Sequence, residues 1–256
     1  MDQSYWSDQE VIKLSHHFVC ARLSTYEDAA EAEFLKKHFR GRTGELENTV
    51  FLLLAPDGKT RLSRSGRSPQ MVFGGTVGWE STVLALEMHA IAQKYPVKKE
   101  MTGLPPLPVS KDLRRSLNVA ACDRQLLVIA DRVPEKTLNT LQTIAWKKPY
   151  RGRLGWGVSK TDAEVQATGL AGKEPGILIC RPDEFGLKAT LIQQLPANAS
   201  EAVVAKALTE ALQTPRAPEK NYRRHMSRGQ RLNKFWESEI EVSDPQTPPG
   251  RKPGRP

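Results

Sequence analysis

The side chains able to do chemistry are few and scattered. Cys20, Cys122 and Cys180 stand too far apart for a Cys-x-x-Cys redox pair or a zinc knuckle, and three is an odd number for a disulfide framework. Cys20 alternates with Val19 and Ala21, and Cys180 closes the run Ile177-Leu178-Ile179, so both read as small buried apolar residues. Cys122, near a helix end beside Asp123 and Arg124, is the candidate nucleophile among the three. His16 and His17 are adjacent, so on a helix their rings diverge by about 100°, and neither cysteine nor carboxylate stands at ligand spacing. His38 and His89 are single histidines within helices. Phe73-Gly-Gly-Thr-Val-Gly-Trp79 lacks the lysine of a phosphate loop and the spacing of a dinucleotide fingerprint, and reads as a loop. No metal and no cofactor is expected.

Two segments have a binding character. In Trp146-Lys-Lys-Pro-Tyr-Arg-Gly-Arg-Leu-Gly-Trp156 the cations Lys147, Lys148, Arg151 and Arg153 interleave with Trp146, Tyr150 and Trp156. Such cations can meet phosphates while the rings stack on bases; the plainer reading, which the sequence favours, is a loop whose aromatics cover a domain edge and whose charges are solvated. Asn221 to Trp236 is the better docking segment, with Arg223, Arg224, Arg228 and Arg231 among Tyr222, Met226, Leu232, Phe235 and Trp236. Gly229 weakens it as a free helix, so it is expected to order against the domains or a partner.

These groups must be positioned by a chain of 256 residues, long enough for one large or two small domains. The net charge of +9 is local: residues 1–97 carry 11 basic and 12 acidic residues, residues 111–214 carry 15 and 11, and residues 215–256 carry 10 and 5. A solubilising tail accounts for half of it, and an anionic partner is the competing explanation. The longest apolar runs, such as Val50 to Ala55, fall far short of the roughly 20 residues of a membrane span, so no membrane partner is expected. The cysteine usage suggests a reducing compartment, hence the cytoplasm unless a signal peptide precedes Met1. A proline-rich linker at 98–110 divides domains at 1–97 and 111–214, and a basic, partly disordered tail occupies 215–256.

Periodicity and turn signals predict α-β-α-β-β-α for the first segment. Ser7 to Glu10 is a capping box, Phe18–Thr25 and Thr49–Leu54 are strands, Asp28 starts a helix, Pro56-Asp57-Gly58 is a hairpin turn, and Ser81–Tyr95 is the closing helix. The second segment predicts a leading helix over Lys111–Cys122, strands at Leu126–Ala130, Leu154–Ser159, Gly176–Arg181 and Lys188–Leu195, and helices from Pro134, Asp162 and Ala199.

Strand, helix, strand, helix, hairpin and closing helix is the order of the thioredoxin fold, and both segments resemble it. In the first, Trp6-Ser-Asp-Gln-Glu-Val through Phe18-Val-Cys-Ala-Arg-Leu23 looks like the part of thioredoxin-like domains that follows the redox motif, and Thr49–Gly58 looks like the later strand with its turn. The resemblance implies two thioredoxin-like α/β domains, each a central mixed sheet flanked by helices, with the first strand of each sheet lying between the second and third. The first segment lacks a stretch to supply that central strand, so either its two strands pair directly, another part of the chain fills the slot, or the natural start lies upstream.

Neither segment has a Cys-x-x-Cys at a strand-to-helix junction; the second offers Asp131-Arg-Val-Pro-Glu135 there. The proline that shapes the family's substrate groove is absent from the first segment, where Glu47-Asn48-Thr49 stands, and Pro175 is in place to serve in the second. The expectation is a redox-inactive thioredoxin-like module that binds a protein or peptide. Its rivals are a thiol-disulfide oxidoreductase using Cys122 or cysteines upstream of Met1, and a nucleic-acid or anionic-surface binder using the 146–156 loop and the tail. Two thiols within bonding range, or one exposed at a helix tip among cations, would speak against the inert reading.

Overall fold

The computed structural model describes residues 5–41, 44–47, 50–73, 81–96, 103–170, 174–235 and 238–243. It is mixed α/β, and the chain divides into two compact units: Met1–Glu100 with Trp236–Pro256, and Met101–Phe235. The charge divides with them. The first unit holds 16 basic and 17 acidic residues and the second 22 and 12, so the whole excess belongs to the second.

In the second unit β1 (Leu126–Asp131) is central, with β2 (Leu154–Ser159) parallel on one side and β3 (Gly176–Pro182) antiparallel on the other; β4 (Ala189–Pro196) follows β3 antiparallel. All six β1 residues are buried, as a strand covered on both faces requires. Leu126, Val128 and Ala130 enter one core with Leu141 and Ile144 of α6 (Glu135–Ala145) and Val204 and Leu208 of α8 (Glu201–Leu212). Leu127 and Ile129 enter the other, with Leu113 and Leu117 of α5 (Leu113–Cys122) and Val165 of α7 (Asp162–Ala167). Two helical layers thus sandwich the sheet. The stretch read as a linker is packed from Leu104 onward: Gln142 donates to Leu104 O and Pro105 O, Leu107 joins the core, and Val109 bridges Trp156 on the edge strand β2.

The first unit departs from its expected order. Its helices are α1 (Gln9–Ser15), α2 (Ala29–His38), the one-turn α3 (Pro69–Val72) and α4 (Ser81–Lys94), and its described residues form isolated bridges in place of strands. Phe18–Thr25 is irregular, with Val19 98% exposed while Phe18 and Leu23 pack against core clusters, because no neighbouring strand among the described residues supplies partners for its amides. Of the expected strand Thr49–Leu54, Thr49 lies outside the described residues, and Phe51 and Leu54 make single bridges to Gly66 and Arg61. The Pro56-Asp57-Gly58 turn forms, with Gly58 at φ 66°. The Thr60 hydroxyl, then the Thr60 and Lys59 amides, hold the Asp57 carboxyl down at about 2. The α1 cap is Asp8 rather than Ser7: its carboxylate accepts from the Glu10 and Val11 amides and from the Ser81 hydroxyl at the start of α4.

Part of the tail belongs to this unit. Tyr26 O accepts from the Glu239 and Ile240 amides, Glu239 Oε2 takes the Ala29 amide at the start of α2 at 3.1 Å, and the Ser243 hydroxyl donates to Leu46 O at 2.7 Å. Ile240 packs with Tyr26, Leu35 and Leu46. A carboxylate at a helix N-terminus is stabilising, so residues 238–243 act as a clip on α2. Ile240→Ala is expected to lower the first unit's stability by about 1 to 2 kcal/mol, read as faster amide exchange in 29–38 with no change in 126–131.

Candidate functional site

The turn from β1 into α6 is where the resemblance places chemistry. Asp131 is 0% exposed, and Arg132 follows in the left-handed region at φ 49°. Arg132 Nε donates to Asp131 Oδ1 at 3.0 Å and Nη2 to Oδ2 at 2.9 Å; Nη2 also meets Asp162 Oδ1 at 2.7 Å. The hydrogen bond to Asp131, followed by the charges of Asp131 and Asp162, raises the guanidinium above its ordinary range against a desolvation cost. At the end of β2 the Ser159 hydroxyl donates to Thr161 O and Glu164 Oε2. The Lys160 amide is the main cause holding the Glu164 carboxyl low. Gly176 pairs with Asp131, which brings Pro175 to the same turn. The turn's charges and hydroxyls are committed to one another, and its described residues include no thiol.

The three thiols are separate and form no disulfide. Cys180 is buried in β3, and desolvation pushes it up to about 12. Cys20 is exposed, contrary to the expectation of burial, because the segment carrying it is not a strand; the bulk around it still raises its thiol. Cys122 is exposed at the end of α5, with Sγ 3.8 Å from Asn118 Oδ1. It meets the criterion of a helix tip, with Arg124 nearby. The tip is the carbonyl end of α5, however, and not a helix N-terminus with free N–H groups to hold a thiolate. Among the described residues no histidine, cysteine and carboxylate group has metal-site geometry. His17 and His89 line a first-unit cleft, and desolvation, then Arg61 and Lys37, lower the His38 imidazole. Residues 74–80 of the glycine-rich loop lie outside the described residues.

At the opposite end of the sheet, where β1 and β2 begin and β3 ends, the cations collect. The strap after α8 is bound there. Arg181 donates to Thr214 Oγ1 at 2.8 Å and Pro215 O at 3.0 Å; Arg216 donates to Asp123 O at 2.7 Å and Arg124 O at 3.2 Å; and Lys220 Nζ donates to Ala121 O at 3.0 Å. The last three acceptors are carbonyls at the end of α5, which cations complement. Beyond the strap runs α9 (Tyr222–Arg231), and the two enclose a cleft of about 420 Å³. Its walls carry Arg124, Arg181, Lys220, Arg224 and Arg228 against Asp183, Glu184 and Glu219. Asp183 is occupied by the Phe185 and Leu187 amides, and Glu184 by Arg228 at 3.1 Å.

The two segments singled out by sequence meet this end in different ways. The 146–156 loop adjoins it through Gln125 Nε2, which donates to Gly152 O at 2.9 Å. Tyr150 is buried, its hydroxyl donating to Ala205 O, and Trp156 is buried in β2. Trp146 Nε1 donates to Pro105 O and Pro106 O, and Lys147 pairs with Glu201. Lys148, Arg151 and Arg153 face solvent, Arg153 donating to Pro149 O, so the loop offers charge and not ring faces. On α9, Arg223, Arg224 and Arg231 are exposed with no carboxylate partner among the described residues; Trp236 lies outside them. Sequence reasoning missed Arg124, Arg181, Arg216 and Lys220. Arg181 carried a signal, a cation closing an otherwise apolar strand, whereas Arg124 carried none.

No protein-family model, curated protein or solved structure matches this chain.

The thiol environments give a measurable order. A thiol reagent at neutral pH is expected to modify two cysteines in the folded protein, and Cys180 only after denaturation. Because Cys180 ionises near 9.0 when unfolded and about 12 when folded, its contribution is intact below pH 9 and is lost as pH rises toward 12. Cys180→Ala is expected to flatten the alkaline part of the stability profile, read by urea unfolding.

Proposed function

We propose that the second unit is a thioredoxin-like domain without thiol chemistry, and that the protein works as a binding module for an anionic partner. Support for the fold comes from the sheet: β1 lies between its parallel neighbour β2 and the antiparallel β3, with helices on both faces. That is the arrangement the resemblance implies. We extend this reading to the second unit alone, since the described residues of the first are helical with isolated bridges.

The observation that carries the functional reading is the Asp131–Arg132 pair. An enzyme of this kind needs a nucleophilic thiol at the N-terminal end of α6. A fully buried carboxylate and its bidentate arginine occupy that approach instead. An anionic partner is favoured because the unit carries an excess of ten positive charges, and at the end of the sheet beside α9 the exposed Arg223, Arg224 and Arg231 have no carboxylate partner among the described residues. An oxidoreductase working through Cys122 is disfavoured by that residue's place at the carbonyl end of α5.

Two assays on the full chain test this reading. Insulin reduction with dithiothreitol should proceed no faster than with dithiothreitol alone; turnover that disappears in Cys122→Ser would overturn the redox-silent part. Retention on heparin should fall steeply with salt, and elution with the void volume at low ionic strength would overturn the anionic part.

A further inference from the structure

We propose that the anionic partner is a single strand of nucleic acid, held along α9 with phosphates on Arg223, Arg224 and Arg231 and bases against Tyr222 and Phe235. This rests on the preceding reading of the second unit as an anion binder, and narrows it.

A solvated tail would not be built as α9 is. Asn221 caps its N-terminus, accepting the Arg224 amide at 3.1 Å. Its C-terminus closes through Asn233 in the left-handed region, with the Asn233 amide donating to Gln230 O and the Lys234 amide to Gly229 O. The inward face is spent on anchoring. His225 stacks on Phe185 with ring centroids 4.9 Å apart, Gly229 is buried against the same ring, and Arg228 pairs with Glu184.

What remains is displayed. Tyr222, the first residue of α9, is 76% exposed and Phe235, just past its end, 59%, and between them stand three arginines with no carboxylate partner among the described residues. Rings at the surface among arginines suit unstacked bases, which a duplex does not offer, and base stacking on such rings tolerates any sequence. The choice of arginine adds planar forks that match phosphate oxygens. A helix of ten residues spans about 15 Å, room for a few nucleotides of a single strand.

Arg124 supplies an independent observation. It sits in the left-handed region at φ 57°, where glycine is favoured, and it lines the cleft beside α9. An arginine kept at a position that strains its backbone points to a use for its side chain.

The test uses the full chain and point variants, because ending the chain before 236 would remove the clip on the first unit. Fluorescence anisotropy with an unstructured oligothymidine of about 12 nucleotides is measured from about 50 mM to 200 mM salt. Binding should weaken steeply with salt. The triple variant Arg223→Gln, Arg224→Gln, Arg231→Gln should lose at least about tenfold in affinity and reduce the salt slope by about 2. Tyr222→Ala should lose about tenfold with the slope unchanged. Arg124→Gly should weaken binding while raising the unfolding midpoint, an opposite pair of shifts that misfolding cannot produce. The proposal is overturned if a blunt duplex of equal length or polyglutamate binds as tightly, or if the triple variant binds like the parent. Those results leave the anionic reading standing; absence of binding to oligothymidine, heparin and polyglutamate alike removes both.

Discussion

The second unit is organised by a strand with no free side. β1 is buried on both faces and hydrogen-bonded along both edges, so the chain can change direction only at its two ends. Each end is turned by an arginine in the left-handed region, Arg124 before the strand and Arg132 after it. These residues have opposite fates. Arg132 folds back on the buried carboxylate of Asp131 and is neutralised there, whereas Arg124 lines an open cleft among other cations. One end of the sheet is thereby sealed and the other is charged.

The three thiols lie apart from the sealed end and from one another, each in different surroundings. Cys180 is quenched by burial in β3. Cys122 is exposed at the carbonyl end of α5, where the helix offers no free N–H groups to a thiolate. Cys20 belongs to the other unit. A buried ion pair such as Asp131–Arg132 contributes little net stability once desolvation is counted, and removing one partner leaves the other uncompensated. Its consequence here is positional: it fills the junction between β1 and α6.

Much of the second unit was legible in the sequence, because each element carries a local signal that agrees with its packing. The apolar run Leu126–Ala130 and the helix starts at Pro134 and Asp162 fall where the elements begin. The first unit was not legible to the same degree. Phe18–Thr25 has strand composition, but a strand exists only when a neighbour takes its amides, and composition cannot report the neighbour. The clip at Glu239–Ser243 was likewise invisible, since its meaning comes from main-chain groups some 200 positions earlier. At the candidate site the arginines of α9 could be named from their clustering, but the strap could not. Arg216 and Lys220 act by reaching main-chain carbonyls, which have no sequence signature.

The division into a sealed end and a charged end is tested most directly by following backbone amide resonances of the full chain as an unstructured oligonucleotide is added. The account predicts shifts confined to 121–125, 151–153, 181–184 and 216–235, at the end of the sheet where β1 begins. Shifts gathered instead around 131–135, 159–162 and 174–176 would contradict it, because they would put the partner on the face that Asp131 and Arg132 are said to close.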